Sequence, residues 1–262
     1  MSSGCAGELA PRILLTNDDG ITSPGLHALY DALARIGDVT VVAPDAERSA
    51  IGHAITTFTP LRVKEYWRGR TLMGYASSGT PADCVKLGVG TLFDRRPDLV
   101  VSGINLGSNT ATNVIYSGTV SAATEARILG IPSIAVSLAT FTDPLWSYAA
   151  EVGRMVAAEV LERGLPPRVL LNVNVPNLPR EEIRGIRVTR QGESVYEEGY
   201  ELRRDPRGQP YYWLAGTFRM RDEDEATDTW ALANSYVSVT PITFDLTAHD
   251  QRQALEAWRW RD

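Results

Sequence analysis

A repeating switch in hydrophobic period constrains this chain more than any other feature. Short runs of consecutive apolar residues end in polar loops, and each loop opens a segment of helical spacing. Ile13-Leu14-Leu15, Val39 to Ala43, Leu99-Val100-Val101 and Ser133 to Leu138 are such runs. Unbroken apolar runs are what strands covered on both faces require, because both sets of alternating side chains must meet a helix layer. Between the first two runs, Leu26, Leu29, Leu33 and Ile36 recur at helical spacing before Gly37. Thr22-Ser23-Pro24, Thr80-Pro81 and Thr142-Asp143-Pro144 each put a capping side chain near a proline at a helix start. A helix is also expected from about Thr119 to Leu129, and the segment opened at Thr142 carries an apolar stripe as far as Val160. Alternation of this kind predicts an α/β fold, a Rossmann-like three-layer α/β/α arrangement with a mostly parallel sheet.

The pattern changes after a last strand, Val169 to Val175. The segment beyond it is charged and aromatic, with Tyr196, Tyr200, Tyr211, Tyr212, Trp213 and Phe218, and reads as a β-rich arm. Tyr236 to Thr240 reads as a returning strand and Gln251 to Trp260 as a closing helix. The expected organisation is a frayed tail over residues 1–11, a catalytic α/β core over 12–185, and a C-terminal unit over 186–262 that serves oligomerisation. The arm carries many aromatics without a steady apolar period, so a dimer interface is expected there. The acidic run Asp222 to Glu225 reads as a solvated loop.

Composition removes several function classes. A formal charge of −6 with no Lys/Arg cluster disfavours a nucleic-acid surface. No run of eighteen apolar residues exists, so no membrane span is expected. The first residues lack the basic and apolar regions of a signal peptide. Cys5 and Cys84 have no metal-type spacing, which fits a reducing compartment.

Ligands in open parallel sheets bind beyond the carboxyl ends of the strands. The first such loop reads Thr16-Asn17-Asp18-Asp19-Gly20. Two adjacent carboxylates would repel a pyrophosphate, which argues against a dinucleotide cofactor. They suit a hard divalent cation if Gly20 lets the backbone turn, or they form a plain turn with an aspartate capping the helix. The second loop, Pro44 to Pro60, is long and polar; His53 within it reads as a surface histidine. The third runs from Ser102 through Asn105 and Asn109 to Tyr116-Ser117-Gly118-Thr119. Ser-Gly-Thr at a helix start offers free N–H groups and hydroxyls to a phosphate, or Ser117 merely caps the helix; the two roles are compatible.

These residues resemble the SurE family of survival-protein nucleotidases. The resemblance rests on Leu14 to Ile21 with Ser23-Pro24-Gly25, Pro44 with Glu47-Arg48-Ser49, Gly79 to Val85, and Asp98 through Asn105. It continues through Tyr116 to Val120, Leu171 to Pro176 and Val239-Thr240-Pro241, and so covers the chain from about Arg12 onward. It implies a phosphomonoesterase acting on nucleoside 5′- and 3′-monophosphates, in some members also on short polyphosphate. It implies one Mg²⁺ or Mn²⁺ per subunit held by Asp18, Asp19, Ser49 and Asn105. It places phosphate contacts at Ser117, Gly118 and Thr119, with Asn17, Asn105 and Asn109 nearby, and implies dimers or tetramers joined through the arm. The chain departs from the family where glycine is frequent: at Ala50, at Ser235, and within Thr110-Ala111-Thr112-Asn113, where a glycine and aspartates are commoner. The implied mechanism is metal-assisted hydrolysis, with Asp19 the candidate proton acceptor and a covalent aspartyl-phosphate the alternative. A phospho-receiver domain also carries an acidic pair after its first strand, but it needs an acceptor aspartate on a central strand, where this chain has Ser102 to Asn105. A nucleotide-binding protein without catalysis is the other alternative.

Overall fold

The computed structural model describes residues 10–219, 221 and 223–258. Residues 1–9 of the tail, Asp222 of the acidic run, Trp260 of the closing helix and the side chains of Tyr196 and Phe218 lie outside the described residues. The strands are β1 (Arg12–Thr16), β2 (Asp38–Pro44), β3 (Val63–Arg68), β4 (Thr71–Ser77), β5 (Leu99–Leu106), β6 (Ser133–Ala139), β7 (Val169–Pro176), β8 (Gly185–Val188), β9 (Val195–Arg204), β10 (Pro210–Arg219) and β11 (Tyr236–Thr243). The helices are α1 (Pro24–Leu33), α2 (Pro81–Leu87), α3 (Gly118–Ile128), α4 (Trp146–Arg163), α5 (Asp228–Ala233) and α6 (His249–Glu256).

Nine strands form one sheet in the order β3-β4-β2-β1-β5-β6-β7-β11-β8. The run from β4 to β7 is parallel throughout. Antiparallel pairing enters at β3 and between β11 and β7. The apolar runs have the cause the sequence implies. Ile13 and Leu15 turn to one face, against Leu26, Leu29 and Leu33 of α1 and Val152, Val156 and Val160 of α4. Leu14 turns to the other, with Val42 and Val100, against Val85 of α2 and Ala122 and Ala126 of α3. Leu14 is fully buried, and truncating such a leucine to alanine costs about 2–5 kcal/mol.

The sheet runs past residue 185, since β11 and β8 extend it beyond β7. The segment that stands apart is the antiparallel pair β9–β10. Its turn is fastened by Asp205, whose Oδ1 accepts from the backbone N–H groups of Arg207 and Gln209, both at 2.8 Å.

Helix ends follow the capping chemistry unevenly. Thr80 and Asp83 make a reciprocal capping box at the start of α2. The expected start at Thr142 is corrected to Trp146. Asn177 clasps the intervening turn, accepting from Leu145 N at 2.8 Å and donating to Asp143 O at 3.2 Å. This leaves Asp143 at φ 48°, outside the helical region. Helix α1 ends at Leu33, so Ile36 packs from a turn rather than from the helix.

In each of the three segments where the resemblance leads one to expect a glycine, one residue adopts the same backbone state. Ala50, Ala111 and Ser235 have φ of 56°, 48° and 64°. This left-handed region strains any residue with a Cβ. Ser235 is held there because its N–H bonds Leu232 O and its carbonyl accepts from Arg184 N. Ser235→Gly should relieve the strain, partly offset by the freer unfolded chain. The expected gain is about 0.5–1 kcal/mol, or about 1–4 °C in Tm. An unchanged or lower melting temperature would contradict the strain assigned to this turn.

Candidate active site

Three loops meet at the carboxyl edge of the sheet. The turn after β1 is closed by Gly20 at φ 96°, where a Cβ would lie 3.3 Å from the Ala46 carbonyl carbon. That contact seats the loop after β2 against the aspartate pair. Ile21 N donates to Pro44 O at 2.8 Å and Arg48 N to Asp18 O at 2.7 Å, so Glu47 and Ser49 arrive beside Asp18 and Asp19. From β5, a register slip against β6 between Ser102 and Asn105 re-aims the strand end as a bulge does. The loop after β5 leads into α3.

A cleft of about 1210 Å³ lies between these loops and Leu214 to Gly216 of β10. Asp18, Asp19, Ser49, Asn105, Asn109 and Ser117 line it, together with Glu47. No lysine, arginine or histidine does so among the described residues. Arg48, next along from Glu47, turns its guanidinium away to Ser78 O at 3.1 Å.

The other three candidate residues lie behind the wall. Asn17 is fully buried and donates to Gly20 O at 2.9 Å, which braces the turn. Thr119 is fully buried, and its hydroxyl donates to Asp18 Oδ1. Gly118 packs on the same carboxylate: a Cβ there would lie 2.8 Å from Asp18 Cβ. The Ser-Gly-Thr start of α3 therefore addresses Asp18 rather than an open phosphate cradle. Ser117 caps the helix, accepting from Val120 N at 3.0 Å, and keeps its hydroxyl proton for the cleft.

The electrostatics arise from crowding. Burial pushes the Asp18 carboxyl up, opposed by the Thr119 hydroxyl and by the backbone N–H groups of Thr119 and Gly118. Asp19 is pushed up to about 7 by burial, then by the charge of Asp18 and, more weakly, of Glu47; Leu106 N, 3.2 Å from its Oδ2, pulls the other way. The donor set fits a hard divalent cation. It offers two carboxylates, the Ser49 oxygen, whose proton is committed to Glu47 Oε1 at 2.8 Å, and the Asn105 carbonyl, whose amide nitrogen is committed to Gly107 O at 2.7 Å.

Sequence reasoning missed several supports. Asn172 and Asn174 share one face of β7 and grip the Asn109 backbone. Both donate to its carbonyl, at 2.7 and 3.0 Å, and Asn174 Oδ1 accepts its N–H at 2.8 Å. Their period-two spacing inside an apolar strand was the available signal. His53 lies at the surface, as the sequence suggests, but it is not without a partner. It pairs at 2.8 Å with Glu125, a buried carboxylate of α3 that also holds Lys86 at 2.9 Å. This staple fastens the loop that carries Ser49.

Because the folded Asp19 carboxyl is raised above its unfolded value, the native state binds more protons between the two. Its contribution is therefore most favourable below about pH 4 and is lost as pH rises through about 7. In chelator, the Tm advantage of Asp19→Asn over the parent should widen from about pH 5 to about pH 8. A difference flat across that range would contradict the origin assigned to the shift.

The family model for survival protein SurE matches residues 13–198. The 5'-nucleotidase SurE of Syntrophobacter fumaroxidans is 54% identical over 94% of this chain and 99% of its own length. That of Chlorobaculum tepidum is 50% identical over 95% and 94%. The crystal structure of the SurE protein from Aquifex aeolicus superposes with a TM-score of 0.82 at 46% identity, covering 94% of this chain and 98% of that one. With the sequence, the fold and the loop order in agreement, this chain belongs to the SurE family.

Proposed function

We propose that this chain is a divalent-cation-dependent phosphomonoesterase that hydrolyses nucleoside 5′-monophosphates to nucleoside and phosphate, with 3′-isomers and short polyphosphate as further substrates. The observation that carries this reading is the cleft itself. It presents Asp18, Asp19 and Glu47 and no basic side chain among the described residues. Such a cleft repels a phosphate dianion unless a cation stands between them. The relatives named as 5'-nucleotidases support the substrate class.

In this reading Asp18, Asp19, Ser49 and Asn105 hold one Mg²⁺ or Mn²⁺. When bound, the cation polarises the phosphoryl group and makes a nearby water more acidic. Thr119 and the first N–H groups of α3 fix the Asp18 carboxylate, so this ligand is set before substrate arrives. Ser117, with its hydroxyl proton uncommitted, and Asn109, with a second amide proton beyond the one given to Ser137 Oγ at 2.8 Å, donate to phosphate oxygens. Asp19, which lines the cleft beside Asp18, takes the proton of the attacking water. The free, buried Cys84 is compatible with a cytoplasmic setting.

The decisive assay is phosphate release from adenosine and guanosine 5′-monophosphates. Activity should vanish in chelator and return with Mn²⁺ or Mg²⁺. Asp18→Asn and Asp19→Asn should each lower kcat by about 100-fold or more, as loss of a transition-state charge partner does. Full turnover by protein shown metal-free by elemental analysis would refute the reading, and tight binding without turnover would favour a nucleotide-binding protein.

Assembly through the arm belongs to the same reading. On one face of the β9–β10 pair, Tyr200 lies opposite Leu214 and Leu202 opposite Tyr212. They are 72%, 59%, 51% and 63% exposed, a cross-strand apolar face that monomers rarely leave in water. Sedimentation at micromolar concentration should give a dimer or tetramer, and Leu202→Asp with Tyr212→Asp should shift it towards monomer. A monomeric parent protein would contradict this.

A further inference from the structure

The cleft is larger than phosphate chemistry needs, and part of its surplus is aromatic. The cation and phosphate residues occupy one part of a space of about 1210 Å³. Tyr116, Phe141 and Trp146 line part of the remainder, together with Leu214 to Gly216 of β10. Tyr116 sits directly before Ser117, at the phosphate end, yet its side chain is 59% exposed. Phe141 lies just past β6 and is 72% exposed. Water is a poor solvent for both rings, and no ring contact is found for either of them among the described residues.

Phe141 is nonetheless held in place. Its ring packs over Gly107, where φ is +107° and a Cβ would come within 2.6 Å of the ring edge. Gly107 is also the residue whose carbonyl takes the Asn105 amide. The ring position and a proposed cation ligand are thus set by one backbone unit. Tyr116 is fixed likewise: its N–H bonds Asn113 O at 3.1 Å and its carbonyl accepts Gly52 N at 3.1 Å, from the loop that carries Ser49. Asn113 also faces the cleft, and its side-chain amide carries both a donor and an acceptor. Two supported but uncovered rings next to a phosphate site present what a flat heteroaromatic group requires: faces to stack on and a polar group for its edge.

We infer that Tyr116 and Phe141 form the nucleobase subsite, stacking the base of a nucleoside monophosphate whose phosphate lies at Asp18, Asp19 and Ser117. This rests on the phosphomonoesterase reading and adds the residues that distinguish a nucleotide from any other phosphate ester. Stacking is indifferent to base identity, because every base has a π-face, and the Asn113 amide serves different base edges by turning over. The subsite therefore separates nucleotides from sugar phosphates far more than it separates one nucleotide from another.

The test compares kcat/KM for adenosine and uridine 5′-monophosphates with that for ribose 5-phosphate, which keeps the sugar and phosphate and lacks the base. The parent protein should prefer both nucleotides. In Phe141→Ala and Tyr116→Ala the ratio of nucleotide to ribose 5-phosphate should fall roughly five- to a hundred-fold, the range found when a stacking ring is removed. The loss should come mainly through KM, and Tyr116→Phe and Phe141→Tyr should restore the ratio. Sedimentation of each variant separates this role from assembly. An unchanged ratio in both alanine variants overturns the subsite, as does a parent protein that cleaves ribose 5-phosphate as well as nucleotides; either result leaves the phosphomonoesterase reading standing. A parent protein that releases phosphate from none of them overturns both.

Discussion

Two neighbouring carboxylates confined at the end of a buried strand are the constraint around which this site is arranged. Asp18 and Asp19 leave β1 together, and burial raises both. Water cannot screen them fully, and no basic side chain reaches them among the described residues lining the cleft. The fold answers with dipoles rather than charges. The start of α3 and the Thr119 hydroxyl meet Asp18, and the Leu106 N–H meets Asp19. These donors hold the pair in place without neutralising it, which leaves both carboxylates ordered and underpaired.

The rest of the edge is built outward from that pair. Gly20 turns the chain and lets the loop after β2 close on it. The same loop is fastened at its far side by His53 on Glu125, and by Thr56 on Asp83 with Oγ1 at 2.6 Å from Oδ2. On the opposite flank, the asparagines of β7 fix Asn109, and buried Asp228 holds Ala111 N at 3.0 Å. Side chains from α2, α3, β7 and α5 thus immobilise loops that carry few apolar contacts of their own. This is how a binding edge made of loops keeps a defined shape.

The layers were legible in the sequence because the same residues that write the pattern do the packing: Ile13 and Leu15 on one face, Leu14 on the other. The capping box at Thr80 and Asp83 was legible because it closes within three residues. Asp18, Asp19, Ser49 and Asn105 were legible as a set through family resemblance, and they do line one cleft. What escaped was non-local or weakly patterned. β3 and β4 went unread because β3 is an edge strand with most of its side chains in water, and it leaves no apolar run. The α4 start was misplaced because Asn177, more than thirty residues later, claims the groups a cap would use. The Thr119 hydroxyl looked free for phosphate because its partner, Asp18, lies 101 residues earlier. Glu47 was quoted for its position and not for its charge, which is felt only once the loop folds over Asp19.

The central claim is that the carboxylate pair is underpaired in the protein and completed by a cation. Calorimetric titration of Mn²⁺ into metal-free protein, repeated in buffers of different ionisation enthalpy, tests it most directly by counting protons. With burial raising both carboxyls, and Asp19 up to about 7, binding near neutral pH should release protons, and the release should shrink as pH rises above that value. Asp19→Asn should reduce the release and weaken binding. Mn²⁺ binding with no proton release near neutrality, or release unaffected by Asp19→Asn, would contradict the claim.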